Sequence, residues 1–206
     1  MNIQPIAHYR SQLTTKFGVP RQSGLVPELV GRIVFEPEYA NADALRGIEG
    51  FSHLWIIWQF SEAVRSGWSP TVRPPRLGGN TRMGVFATRS PFRPNNLGLS
   101  SVKLLGVEHT QQFGTVLHVG GADLMDGTPI FDIKPYIPYS DSHPDADCGW
   151  LKEVKEKRLR VVWPKDAEAS EDIREQIEEI LRLEKAEKVN IIAHSKGGLD
   201  TRYMLE

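Results

Sequence analysis

Up to about Pro164, apolar positions come in short runs cut by turn-forming residues, and they do not recur at helical spacing over any long stretch. The runs Val30–Phe35, Leu54–Phe60, Met83–Thr88, Ser101–Glu108, Thr115–Val119, Ile130–Ile133 and Arg158–Trp163 are predicted to be strands. Between them lie Arg73-Pro74-Pro75, Gly78-Gly79-Asn80, Arg93-Pro94-Asn95-Asn96 and Asp126-Gly127-Thr128-Pro129, residues suited to tight turns. Many short strands with such punctuation predict an antiparallel sheet, closed or sandwiched. Ala42–Ile48 is predicted as one short helix leading to Phe51. Polar loops are expected at Arg65–Arg82 and Ser140–Gly149, and loops of that length often carry function.

From Ser170 the pattern changes. Ser170 is a plausible N-cap, Glu171 and Asp172 follow it, and Ile173, Ile177, Ile180 and Leu181 share one helical face. Lys188–Ala193 then reads as a strand, with a closing helix to Glu206. This places a boundary near Pro164, giving a β domain over residues 1–164 and a short α/β appendage over 165–206.

Composition narrows the class. The 206 residues are 40% apolar, enough for an ordinary core. Cys148 is the only cysteine, so no intrachain disulfide and no cysteine-built zinc site is expected, which suits a reducing, cytoplasmic setting. The N-terminal segment carries no signal-peptide pattern, and the longest apolar run, Leu54–Phe60, is too short to span a membrane. Six scattered histidines form no metal motif. There is no dinucleotide-binding glycine fingerprint, and Gly78–Arg82 lacks the Lys-Ser/Thr of a phosphate loop.

Charge sharpens the picture. The net charge is only −1, yet Ala63 to Val107 contains no carboxylate and carries Arg65, Arg73, Arg76, Arg82, Arg89, Arg93 and Lys103. Guanidinium groups gathered on Gly/Pro/Asn loops suit a phosphate, a carboxylate or a nucleic acid. Each element also has a plainer reading. Arg93–Asn96 and Asp126–Pro129 read equally well as turns, and Trp55, Trp58 and Phe60 read as core.

Near the end, Val189–Asp200 has the strand–turn–helix pattern of a hydrolase nucleophile elbow with Ser195 as nucleophile. No histidine follows Ser195, and a serine without a base is a weak nucleophile.

The words PRQ at Pro20–Gln22, RGIEGFSHLWII at Arg46–Ile57, RPPRLGGNTRMGVFATRSPFRPN at Arg73–Asn95 and DLMDGTPIFDIKPYIPY at Asp123–Tyr139 resemble the TsaA-like family, which includes the TrmO tRNA methyltransferases, over about residues 1–183. The resemblance implies a single-sheet antiparallel β-barrel, a homodimer and an S-adenosylmethionine site. It implies methyl transfer to N6 of threonylcarbamoyladenosine beside the anticodon of tRNA; no metal and no membrane partner is expected from the histidine spacing and the short apolar runs. It places cofactor contacts at Pro20, Arg21, Gln22, Ser61, Glu62, Arg89, Leu99, Asp123, Leu124, Met125 and Asp126. Arg21 or Arg89 suits the cofactor carboxylate. The catalytic candidates are Asp126, Asn95 and Arg93: Asp126, or a group the sequence does not identify, would take the acceptor's proton. Arg73, Arg76, Arg82 and Arg93 would meet anticodon-loop phosphates or the threonyl carboxylate. Two departures stand out. Asn96 replaces a usual proline, and the segment after Leu183 differs from the expected C-terminal domain. The alternatives are a barrel that binds RNA or nucleotide without turnover and, last, a hydrolase using Ser195.

Overall fold

The computed structural model describes residues 3–16 and 18–154. The expected strand Arg158–Trp163, the appendage with its helix from Ser170, the boundary at Pro164 and Ser195 all lie outside the described residues.

The fold is mainly β, as the pattern predicts. Strands β1 (Ala7–Arg10), β2 (Val30–Phe35), β3 (His53–Gln59), β6 (Leu97–Thr110), β7 (Gly114–Gly120) and β8 (Pro129–Pro135) pair antiparallel in the order β1-β2-β7-β6-β3-β8. β8 returns to β1 through Ala7↔Ile130, so the sheet closes on itself. Closure leaves none of the six strands with an unpaired edge. A two-stranded hairpin stands apart from it, β4 (Thr71–Val72) against β5 (Met83–Gly84).

Period-two alternation decides what faces inward. On β3, Leu54, Ile56 and Trp58 are buried while their neighbours are only partly covered. Tyr9, Ile33, Val102, Leu117, Val119 and Ile130 join them in one core cluster. Each large side chain buried this way contributes roughly 1.5–3 kcal/mol. β6 is longer than predicted because its first half pairs with β3 and its second half with β7. A register shift between Leu104 and Gly106 lets one strand serve both partners.

Two expectations change, and one barrel strand was not foreseen. Met83–Thr88 is a strand only to Gly84; a 3₁₀ turn over Val85–Ala87 follows, fixed by the Thr88 hydroxyl donating to the Val85 carbonyl at 2.9 Å. The helix expected over Ala42–Ile48 is instead two 3₁₀ turns, Ala42–Leu45 and Ile48–Gly50, split where Gly47 takes φ 88°. β1, only four residues with His and Arg at its outward positions, has too little apolar signal to be read from sequence.

Candidate functional site at one end of the barrel

The strand registers bring distant segments to a single end. Trp58↔Ile130, His8↔Pro129, Val30↔Gly120 and Gln59↔Leu97 all lie there. The segments leaving β1, β3 and β7 and those entering β2, β6 and β8 therefore share one rim. Of the sequence-predicted site residues, all but Leu99 sit on those segments.

The rim is organised by the connection from β7 to β8. These strands occupy opposite positions in the six-strand cycle, so residues 121–128 must cross the barrel mouth. Ala122 and Leu124 on this crossing are fully buried in the core cluster and plug the mouth. Asp123 and Asp126 lie on the same crossing, with Gly127 turning at φ 78°. Backbone bonds from Gly127 to Tyr9 and from Asp126 to Leu13, each 2.8 Å, tie the crossing to the end of β1.

Asp123 is the centre of a hydrogen-bonded chain. Trp58 Nε1 donates to Ser100 Oγ at 2.9 Å, and Ser100 donates to Asp123 Oδ1 at 2.5 Å. The Trp58 ring packs so close to Gly98 that a Cβ there would meet ring atoms at 2.4 Å. Burial pushes the Asp123 carboxyl above the usual carboxylate range, opposed by its bond from Ser100, by backbone N–H groups including that of Ser23, and by the Arg89 charge. Burial likewise pushes the neighbouring Tyr9 phenol up to about 12; its bond with Ser11 opposes the rise, and Asp123 and Asp126 add to it.

The segment holding Pro20, Arg21 and Gln22 is pinned over the crossing. Gly24 N–H donates to the Gly121 carbonyl at 2.8 Å, and Gly121 N–H to Leu29 at 2.9 Å. Arg89 donates to Gln22 Oε1. Gln22, Ser23, Arg89, Ser100 and Asp123 thus form one group. Arg21 is exposed; its carbonyl accepts from Gln22 Nε2 at 2.6 Å, and its guanidinium makes no hydrogen bond or ion pair among the described residues.

The other candidates are placed as follows. Asp126 Oδ1 accepts from Ser11 N–H at 3.0 Å, and Oδ2 faces Arg10 at 3.8 Å. Leu124 is buried in the plug, and the Met125 carbonyl accepts from the Thr128 hydroxyl at 2.7 Å. Ser61 and Glu62 start the 3₁₀ turn after β3, anchored by Phe60 N–H to the Asn96 carbonyl at 2.9 Å. Arg93 Nη1 donates to the carbonyls of Thr88 at 2.8 Å and Val85 at 3.1 Å, so it organises residues 85–93. Asn95 is exposed beside it. Asn96 takes φ 46°, a conformation closed to proline, and its amide donates to Pro91 at 2.7 Å. Leu99 is the exception to the grouping. One position from the inward Ser100, it faces outward, 59% exposed, against Ile57 on β3.

Sequence reasoning gave no site role to Ser100, Ser23 or the Trp58 indole N–H. The available signal was a hydroxyl at an inward position of β6, between Gly98 and Val102.

The family model of the tRNA-methyltransferase O N-terminal domain matches residues 8–142, which include the whole rim. The chain belongs to the TrmO family. A tRNA (adenine(37)-N6)-methyltransferase of Escherichia coli K12 is 47% identical over 165 residues, covering 80% of this chain and 70% of that protein. A Pseudomonas aeruginosa relative named for S-adenosylmethionine-dependent methyl transfer is 45% identical over 166 residues, covering 81% of this chain and 67% of its own length. The crystal structure of TrmO from Pseudomonas aeruginosa superposes with a TM-score of 0.65 at 34% identity, covering 90% of this chain and 76% of that one.

The rim of this TrmO-family chain offers the chemistry a sulfonium cofactor needs. Arg89 and the exposed Arg21 supply cations for a carboxylate, Asp123 supplies an acceptor for hydroxyl or ammonium donors, and the crossing supplies backbone groups. Among the described residues no cluster of His, Cys, Asp and Glu could hold a metal, and no helix is long and apolar enough to cross a membrane.

Proposed function

We propose that this chain is an S-adenosylmethionine-dependent methyltransferase acting on N6 of adenosine 37 of tRNA, with the threonylcarbamoylated base as its acceptor. The activity is that of its relatives. The observation that carries the reading in this molecule is the rim group of Gln22, Ser23, Arg89, Ser100 and Asp123, which register and crossing bring to one barrel end.

S-adenosylmethionine supplies a methyl group activated by a sulfonium. Arg89, held by Gln22, and Arg21 bind the cofactor carboxylate. Asp123, steadied by Ser100, accepts from its donor groups, and the 121–126 backbone reads the remainder. The acceptor nitrogen of a threonylcarbamoyl group is urea-like, with a delocalised lone pair, so it must give up its proton as the methyl arrives. Asp126 is the candidate for that proton, and Arg93 and Asn95 position the loop beside it. The rest of the acceleration is orientation.

Leu99 fits this picture across two copies of the chain. It faces away from Asp123 of its own barrel, so a homodimer in which one copy's outer wall meets the other's rim brings it to the cofactor. The anticodon stem-loop is the substrate piece that the carboxylate-free segment suits, and an exposed Cys148 thiol suits the cytoplasm.

The test is methyl transfer from labelled cofactor to threonylcarbamoylated tRNA, with mass spectrometry of the anticodon-loop nucleoside. Label on N6 of the modified nucleoside is expected. Transfer to unmodified adenosine alone, or no cofactor uptake by folded protein, overturns the reading.

A further inference from the structure

The β4–β5 hairpin is a finger with different chemistry at its two ends. Trp68 lies just before β4 and Phe86 just after β5, and Val85 N–H donates to the Pro70 carbonyl at 2.9 Å to fasten that end. The two rings lie 6.2 Å apart at 32°. They are 53% and 71% exposed, far from the burial such residues normally reach. The Arg93 guanidinium stands 5.6 Å from the Phe86 ring centre, already fixed by the Val85 and Thr88 carbonyls. Trp150 Nε1 donates to the Ala87 carbonyl at 2.9 Å, bracing the residue that follows Phe86. At the other end, the loop between β4 and β5 carries Arg73, Arg76 and Arg82, none of which has an ion-pair partner among the described residues.

We propose that Trp68 and Phe86 are a stacking platform for unpaired bases of the tRNA anticodon loop, with Arg73, Arg76 and Arg82 on the adjoining phosphates. The assignment rests on the tRNA reading above and deepens it. Exposed aromatic faces beside guanidinium groups match single-stranded RNA, whose splayed bases stack on rings while its phosphates meet cations. A duplex offers no free base face. The complementarity is one-sided, because no Asp or Glu lies between Ala63 and Val107 to repel a phosphate. The platform is also continuous with the rim: Phe86 is three residues from Arg89, which reaches Gln22.

The experiment compares binding of the full chain to an anticodon stem-loop and to its stem alone, with cofactor binding measured by calorimetry on the same samples. Phe86→Ala and Trp68→Ala are each expected to weaken stem-loop binding about tenfold. Phe86→Tyr restores it, and stem binding and cofactor binding stay unchanged. An abasic nucleotide in the loop is expected to weaken binding to the unaltered protein and to add little in the alanine variants, so the result does not depend on the variants alone. Unchanged stem-loop affinity, or an equal loss on the stem, overturns the platform. So does a shift in the monomer–dimer balance on sedimentation at constant RNA affinity, which would make the face a contact between copies. If the unaltered protein takes up no cofactor while the loop-specific losses persist, the methyl-transfer reading fails and the platform stands.

Discussion

The 121–128 crossing and the β4–β5 hairpin use their polar groups in opposite ways. On the crossing they are committed: Asp123 holds Ser100, Asp126 holds Ser11, and Gly121 and Gly127 bond to the segments on either side. On the hairpin, Arg73, Arg76 and Arg82 are exposed, and none has a carboxylate partner among the described residues. A small ligand with fixed atoms rewards a pocket set in advance, since little ordering cost remains to be met on binding. A long polyanion rewards charge that adapts and contributes in small increments along the chain. The two regions therefore differ in how losses should scale: large and indivisible on the crossing, small and additive on the hairpin.

Removing the plug should produce the largest effect. Leu124→Ala empties a fully buried site beneath Asp123, and a loss of about 2–5 kcal/mol in unfolding free energy is expected by urea titration. Cofactor affinity should fall with it, because the same crossing carries both. A variant of normal affinity and reduced stability would show that plug and site are independent.

Arg89→Ala comes next. Its loss removes a charge-assisted bond and should weaken cofactor binding by about 1.5–3 kcal/mol in calorimetry, with the thermal midpoint nearly unchanged since the side chain is exposed. Arg89→Lys should recover only part of the loss, as an ammonium does not reproduce the guanidinium fork. On the hairpin, Arg76→Ala should be milder. Cofactor binding should hold, and the slope of log affinity for tRNA against log salt should drop by about 0.7–0.9. Replacing Arg73, Arg76 and Arg82 together should add the single effects. A steeply non-additive result would mean the loop is wired like the crossing.

The difference between the two regions also marks what the sequence could reveal. Strands β2, β3, β7 and β8 are legible because each is a short run rich in Val, Ile, Leu, Phe or Trp, set off by turn-forming residues. The hairpin's arginines are legible too, as a count. The crossing is not. That Ala122 and Leu124 plug a barrel follows from β7 and β8 standing opposite each other, and strand order is a property of the whole chain. The Trp58–Ser100–Asp123 chain joins residues 42 and 23 positions apart, so only the β3–β6 register reveals it. The 3₁₀ turn at Val85–Ala87 was masked by strand-forming residues, because a hydroxyl at Thr88 and a guanidinium at Arg93 decide the backbone there.

Asp123 gives the finest test, through pH. Its carboxyl titrates above the ordinary value of 3.8 because burial disfavours the charge more than Ser100, Ser23 and Arg89 favour it. The folded protein then holds this proton at pH values where the unfolded chain has released it. Stability from this group is full below the unfolded value and declines as pH rises through the folded one. Asp123→Asn keeps an acceptor for Ser100 and removes the titration. It should match the parent at low pH and exceed it in urea unfolding above that window. Cofactor binding should move the other way. A cation arriving beside the carboxyl favours its charged form, so affinity in the parent should rise with pH through the same window and stay low and flat in Asp123→Asn. Calorimetry in buffers of different ionisation enthalpy would register the released proton. Parallel pH profiles for parent and variant would place the bound cation elsewhere on the rim, and would leave Asp123 as a strut for Ser100 and Trp58.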